Sequence, residues 1–218
     1  QPSRAEGYNP ALLLRQLQQA RPPQAAGFGV RLLGAFLQEN LGQAFGVLLG
    51  VGAGNWALEL LASWPGGVLF LVDPYIHLRR GYEREANLED DDHQRQYEHL
   101  RNVLHDKAEV QGRYSFVREF SFAVPKIWLE KQWGPRPKFV YQDANPSYGA
   151  VRTDLRSWWP LLDVNGVMAG SNYTTLGDGS VIGVRRAVDE FAAERGLQVF
   201  LTSDAEPTWL MLKEAESL

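Results

Sequence analysis

Cysteine is absent from this chain of 218 residues. That absence excludes disulfides, thiolate zinc sites, iron-sulfur clusters and a catalytic thiol, and it leaves the compartment open. A surplus of basic charge is missing too. Lys and Arg number 22 against 26 Asp and Glu, a formal net charge of -4, so the electrostatic attraction that phosphate backbones demand is not there and nucleic acid is not an expected partner. Nor does any apolar run approach the ~18 residues that a membrane-crossing helix needs; the longest are broken by Gly, Pro or Asn, and no membrane span is expected. The sequence starts at Gln1 rather than Met, so the lack of a leader segment says nothing of destination.

What is present is the composition of a globular domain, 44% hydrophobic and 22% charged, over a length that can bury a substantial core. Asn9 and Pro10 before ALLLRQLQQA read as an N-cap, a first-turn proline and an amphipathic helix, and residues 20–29, ARPPQAAGFG, as a connector. VRLLGAFLQEN carries a helical period. Seven segments read as strands: FGVLLG, VLFLVDPY, RYSFVREF, KFVYQDANP, GVMAGSNY, QVFLTS and TWLMLK. Helical stretches such as FAVPKIWLEK and VRTDLRSWWPLL separate the first five, and GSVIGVRRAVDEFAAERG precedes the last two. The pattern predicts an α/β fold with a mostly parallel sheet covered on both faces, closed by an antiparallel hairpin.

One segment breaks the rhythm. IHLRRGYEREANLEDD, following Tyr75, is too polar for core and too long for an ordinary connection. It would emerge at the carboxyl end of the second strand, where open α/β sheets put their ligands, so it reads as a lid or substrate wall, or equally as a surface insertion.

Gly50, Gly52 and Gly54 follow a strand and precede a helix, which allows a tight turn and a close approach of a ligand to backbone amides. Asp73 ends the next strand, 21 residues after Gly52, where a carboxylate can accept from the two hydroxyls of a ribose. Two cofactor classes fit this turn. GAGNWA matches the G-x-G-x-x-A dinucleotide fingerprint, and GVGAG matches the looser turn of methyltransferases. A dinucleotide fold needs a second mononucleotide-binding half, whereas this chain ends in a helix and a hairpin, and that ending favours S-adenosylmethionine.

With GVGAG followed by NWALELL, then LVDPY, FVYQDANPSYGAVRTDLRSWWPLL, GVMAGSNY and VRRAVDEFAAERGL, the sequence resembles the class I S-adenosylmethionine-dependent methyltransferases. Within them it is similar to the macrocin-type small-molecule O-methyltransferase-like group, over residues 29 to 213. The resemblance implies a Rossmann-like, seven-stranded sheet whose last strand is antiparallel, with 1–28 as an N-terminal helix and linker and 29–218 as the methyltransferase-like domain. It implies that Gly50, Val51, Gly52 and Gly54 line the methionine and ribose portions of the cofactor, that Asp73 holds the ribose hydroxyls, and that Ser121 lies near the adenine edge.

The chain departs from that group at several points. Leu48 stands where an acid usually helps fix the amino acid end of the cofactor, Pro146 replaces a histidine, and Ser171 and Asn172 replace His-Asp. Hard cations want several charged oxygen ligands, so a divalent metal held as in the metal-dependent relatives is not expected. Asp143, at the carboxyl end of a central strand, is the remaining base for an acceptor hydroxyl, with Asn145, Tyr148, Tyr173 and Asn172 as substrate-orienting groups. An acid at that place can equally cap the helix starting near Ser147.

His93, His99 and His105 lie six residues apart, roughly 120° from one another around a helix, so no two share a face as metal ligands would; they read as a solvated stretch begun by Asp90 to Asp92. His77 is a possible adenine-side group or a surface residue, and TTLGDGSVIG a loop bordering the substrate pocket or a plain turn. Trp128, Trp133, Trp158 and Trp159 read as helix-on-sheet packing.

The expected function is methyl transfer from S-adenosylmethionine to a small hydroxylated acceptor. Two alternatives stand beside it: a methyltransferase-like chain that has lost catalysis and serves a protein partner as a structural or interaction subunit, and an NAD(P)-dependent oxidoreductase.

Overall fold

Alternation of side chains along the strands decides how this chain folds. In the computed structural model, which describes residues 32–82, 84–174 and 183–214, seven strands form a single sheet. They are β1 (Ala44–Leu49), β2 (Gly67–Val72), β3 (Tyr114–Val117), β4 (Phe139–Gln142), β5 (Val167–Gly170), β6 (Phe200–Leu201) and β7 (Trp209–Leu212). Each of the seven predicted segments overlaps one of them, β1 and β2 beginning one residue earlier than expected. The helix expected after Pro10 and most of the loop expected at 174–183 lie outside the described residues.

Leu48, Tyr141, Ala169 and Leu210 point to one face of the sheet, while their neighbours Leu49, Val140, Met168 and Met211 point to the other. Both faces are therefore apolar and both must leave water. Helices α1 (Leu33–Leu41), α2 (Asn55–Ser63) and α3 (Asp90–His105) cover the first face; α4 (Val124–Lys131), α5 (Tyr148–Leu161) and α6 (Val184–Arg195) cover the second. Trp64 is buried in the first core layer, and Trp128, Trp158 and Trp209 in the second, as expected of helix-on-sheet packing for Trp128 and Trp158.

The strand order is β3-β2-β1-β4-β5-β7-β6. β7 pairs antiparallel with both β5 and β6, and every other pairing is parallel. Antiparallel β7 sits between β5 and β6 and interrupts what would be the second mononucleotide-binding half, so the architecture is that of the class I methyltransferase fold rather than a dinucleotide-binding one. The order reverses between β1 and β4. Chain segments leaving these two strands diverge, and a crevice opens over their carboxyl ends.

The turn after β1 shows why glycine is needed there. Gly50 has φ 80°, and a Cβ on it would lie 2.3 Å from the Asp143 carbonyl oxygen, because the ends of β1 and β4 touch. Gly52 has φ 50°, yet a Cβ on it would meet nothing within 4 Å. One glycine is forced by the protein, and the other faces open space. At the start of α5 the cap is Ser147, whose hydroxyl accepts from Ala150 N at 3.4 Å, so Asp143 is not the capping residue.

Gly50→Ala is expected to cost about 3 kcal/mol or more of stability, because backbone collision adds to left-handed strain, and Gly52→Ala only about 1–2 kcal/mol from strain alone. Urea denaturation of the two variants measures the difference.

Candidate cofactor and active site

A cavity of about 460 Å³ opens at this crevice. Its wall is built from the ends of four adjacent strands: Gly50 to Ala53 after β1, Asp73 and Pro74 after β2, Phe120 to Phe122 after β3, and Asp143 to Asn145 after β4. Ile76, Leu78, Tyr82, Ala86 and Leu88 from the long loop, His93 and Gln96 from α3, Ala150 from α5 and Val72 at the end of β2 complete it. The size suits a nucleoside-sized ligand.

Asp73 organises the β1–β2 side. Its Oδ2 accepts from the backbone amides of Val51 (2.8 Å) and Gly52 (3.0 Å), and its Oδ1 from the amide of Tyr75 (2.8 Å). Tyr75 is 2% exposed and takes φ 50°, which a bulky residue adopts only when its surroundings enforce it. Its hydroxyl donates to the Gly52 carbonyl at 3.0 Å. Burial, with the charge of Asp73 adding to it, pushes the Tyr75 hydroxyl well above its ordinary range and keeps it a donor. The glycine turn is thus clamped on both its amide and carbonyl sides.

The long loop is fastened rather than loose. Asp90 Oδ1 accepts from His77 N, Leu78 and Asn87 exchange two bonds of 2.8 Å, and Asn145 Nδ2 donates to Gly81 O at 2.7 Å, joining the loop to the β4 side. The ring of His77 lies 3.0 Å from the Leu88 carbonyl, so this histidine serves the neck of the loop. The loop contributes wall to the cavity, in line with the first of its two sequence readings. A second cavity of about 420 Å³, lined by Arg79, Arg80 and Arg84 among others, adjoins the first through Leu78 and Tyr82.

On the β3 side the Ser121 hydroxyl donates to Asp154 Oδ1 at 2.6 Å, and Trp158 Nε1 donates to the Ser121 carbonyl at 2.9 Å. Asp154, on α5, is 2% exposed. Burial pushes its carboxyl up to about 7, against the opposing hydrogen bonds from Ser121 and Gln142.

On the β4 side Asp143 lines the cavity with its side chain exposed there. Desolvation by the surrounding walls pushes its carboxyl up to about 6; the hydrogen bond from Ser171 and the charge of Arg84 pull the other way. The Ser171 hydroxyl donates to Asp143 Oδ1, and Asn172 Nδ2 donates to Ser171 Oγ at 2.7 Å. Asn145 Oδ1 accepts from Ser147 N, so both ends of that side chain are occupied.

The structure brings Gly50, Val51, Gly52, Asp73, Ser121, Asp143 and Asn145 to one cavity. Gly54 sits one step behind it, its Cα against the Leu100 side chain. Tyr148 and Tyr173 are not among the lining residues: their hydroxyls donate to Glu190 and Asp189 on α6, with Arg186 and Arg185 over their rings. Asn172 reaches Asp143 only through Ser171. Leu48 is 1% exposed and belongs to the core layer under α1 to α3. Among the described residues no group of three or more His, Cys, Asp or Glu is placed to hold a metal ion.

The residue that spacing alone did not single out is His93. It is 7% exposed, it lines the cavity, and neither ring nitrogen has a protein partner. His99 and His105 are exposed, as expected. A signal was available: His93 shares the helical stripe of Tyr97, Leu100 and Leu104, at spacings of four, three and four.

Fold and site together define a class I S-adenosylmethionine-dependent methyltransferase domain. A family model described as a methyltransferase domain matches residues 25–173, more than half of the chain, and the chain belongs to that family. A comparison with curated proteins finds no match. Among solved structures, the chain is similar to the O-methyltransferase from Bacillus cereus in complex with SAH, at 16% identity over 97% of this chain and 92% of that one, with a TM-score of 0.56. It is also similar to the O-methyltransferase NovP, at 14% identity over 93% and 81% of the two chains and a TM-score of 0.58. The precorrin-6y C5,15-methyltransferase from Geobacter metallireducens matches at 14% identity over 85% and 88%, TM-score 0.55. At such identities the likeness is one of fold.

The buried acid has a sign to check. Folded Asp154 keeps its proton up to about pH 7, while the unfolded chain gives it up near 4, so its contribution to stability is complete below about pH 4 and is lost as pH rises through 7. Asp154→Asn is expected to flatten that dependence and to raise stability at pH 8 by up to about 4 kcal/mol. Thermal denaturation from pH 4 to 8 reads it.

Proposed function

We propose that this cavity binds S-adenosylmethionine and that the chain transfers its methyl group to the hydroxyl of a small acceptor, in the manner of macrocin-type O-methyltransferases. The donor supplies an electrophilic methyl carbon; closeness, alignment and a base for the acceptor's proton are what the protein must add. Strand order supports the placement. With the ribose at Asp73 on β2, the adenine would lie toward β3, against Phe120, Phe122 and Ser121, and the methionine half toward the Gly50 to Gly52 turn and β4. The residues present fit such a ligand: Gly52 offers open space, Asp73 has an acceptor position that its own backbone leaves unused, and the Phe120 and Phe122 rings stack on each other at 5.7 Å beside the cavity.

The observation that carries the catalytic reading is Asp143. It is the carboxylate at the β4 end of the cavity, and its raised pKa makes it a stronger proton acceptor than an ordinary aspartate while leaving it ionised at pH 7. Ser171 holds one oxygen, which fixes the carboxylate and leaves the other for an acceptor hydroxyl. The B. cereus and NovP structures, both of O-methyltransferases, support hydroxyl chemistry at such a fold.

One observation favours a second reading. Leu48, buried in the core, leaves the amino acid end of the cofactor without the acid usual in that group. A chain that binds the cofactor without turnover, serving as an interaction subunit, matches this.

Calorimetric titration with S-adenosylmethionine and S-adenosylhomocysteine tests the first half: micromolar binding, on the order of -8 kcal/mol, is expected, and Asp73→Ala is expected to abolish it while NADH does not bind. An acceptor screen tests the second. Turnover should rise with pH through about 6 and then level, and Asp143→Asn should lower kcat by roughly 10²–10⁴ with cofactor affinity retained. Cofactor binding with no turnover of any acceptor supports the subunit reading.

A further inference from the structure

We propose that the methyl acceptor is a phosphorylated compound, its phosphate held by Arg79, Arg80 and Arg84 in the second cavity while its hydroxyl reaches Asp143 in the first. The inference rests on the reading of the larger cavity as an S-adenosylmethionine site, and it names the class of acceptor for that site.

Arginine outside the long loop is mostly occupied by the protein itself. Arg113 donates to the carbonyls of Leu61 and Trp64, Arg156 pairs with Glu194, and Arg186 pairs with Glu190. Arg79, Arg80 and Arg84 differ. All three line one cavity, and among the described residues no ion pair, hydrogen bond or ring contact engages their guanidinium groups. The other polar side chains of that cavity do not answer them. Asn87 spends both ends of its amide on the Leu78 backbone, the His77 ring lies against the Leu88 carbonyl, and Glu85, the one acid of the wall, forms no ion pair with the arginines. On a chain of formal net charge -4 this is a local excess of positive charge. A phosphate monoester, carrying about -1.5 to -2 near pH 7, answers that excess where a single carboxylate would not, and the guanidinium fork matches phosphate oxygens in pairs.

Tyr82 relates this anion site to the chemistry. It lines both cavities, as Leu78 does. Its hydroxyl has no protein partner among the described residues and stands among Arg84, Asp73 and Asp143: burial raises it above its ordinary range, the two acids add to the shift, and Arg84 opposes it. Tyr82 is therefore the shared wall along which an acceptor passes from the arginines to the base, with its hydroxyl available to the acceptor on the way. The charge of Arg84 is felt at the Asp143 carboxyl as well.

The three arginines are exposed, but the backbone that carries them is braced. Asp90 Oδ1 closes the neck of the loop through His77 N at 2.6 Å, and Asn145 Nδ2 pins Gly81 O, next to Arg80, at 2.7 Å. Bracing fixes the three stems relative to the β4 end and lowers the ordering cost of binding.

The test is titration of the full chain with inorganic phosphate at constant ionic strength, with and without saturating S-adenosylhomocysteine, read by calorimetry and by arginine side-chain ¹⁵N resonances. Saturable binding is expected in both states, with the resonances of Arg79, Arg80 and Arg84 shifting and that of Arg152, an exposed arginine outside both cavities, unmoved. Arg79→Gln, Arg80→Gln and Arg84→Gln should each weaken phosphate binding about tenfold and leave S-adenosylhomocysteine affinity unchanged, while Arg152→Gln changes neither. Acetate should bind at least about tenfold more weakly than phosphate.

No saturable binding of phosphate overturns the proposal, as does binding that the three variants do not weaken, which marks an adventitious ion only, or acetate binding as tightly as phosphate. Displacement of phosphate by S-adenosylhomocysteine overturns it too, by giving the arginines to the carboxylate of the cofactor. Each of these leaves cofactor binding standing. Failure of S-adenosylhomocysteine to bind removes the cofactor reading, and with it the acceptor that this inference describes.

Discussion

Asp73 ties the end of β2 to the turn after β1, and the site is organised around that tie. Left alone, the amides of Val51 and Gly52 would face a crevice without partners, at a turn whose glycines have a wide choice of conformation. The carboxylate removes that freedom. Tyr75 then closes the arrangement from the other side through the Gly52 carbonyl, held in an unfavourable backbone region by the same contacts. Charge-assisted bonds of this kind are worth about 1.5–3 kcal/mol each, enough to offset the local strain. The outcome is a rigid rim for the cavity built before any ligand arrives.

Two further acids flank that rim, and desolvation acts on both. Asp154 is sealed among α5, Ser121 and Gln142 and acts on the cavity only by holding Ser121. Asp143 is exposed in the cavity, and the desolvation that the cavity walls impose disfavours its charge and makes it useful as a proton acceptor. The sheet separates them: one belongs to the β3 end and the other to the β4 end, on either side of the glycine turn.

Much of this was legible in the sequence because both faces of the strands are apolar, and an apolar run bounded by glycine or aspartate leaves little choice of structure. The glycine turn and Asp73 were readable from spacing, although spacing did not reveal that most of the carboxylate's acceptor positions are used by its own backbone. Tyr148 and Tyr173 read as substrate groups because they follow the right strands; their partners, Glu190 and Asp189, sit on α6, and a contact across that distance depends on how two helices pack. Asp154 carries no motif in the sequence, but it lies three residues after Val151 and four before Trp158, on the buried face of α5. His93 stands a third of a turn from the other histidines and is buried because it shares its stripe with Leu100 and Leu104.

The position of β7 bears on how the protein is made. This strand, the last of the seven in sequence, enters the sheet between β5 and β6, and all four of its residues are buried. Until it emerges from the ribosome, β5 presents an unpaired edge and Met168 and Phe191 lack part of their cover. Among the described residues β6 has no neighbour but β7. The sheet cannot be completed progressively during synthesis; it is finished from its carboxyl-terminal strand, and a nascent chain stalled short of Trp209 carries an open, apolar strand edge of the kind that aggregates or recruits a chaperone.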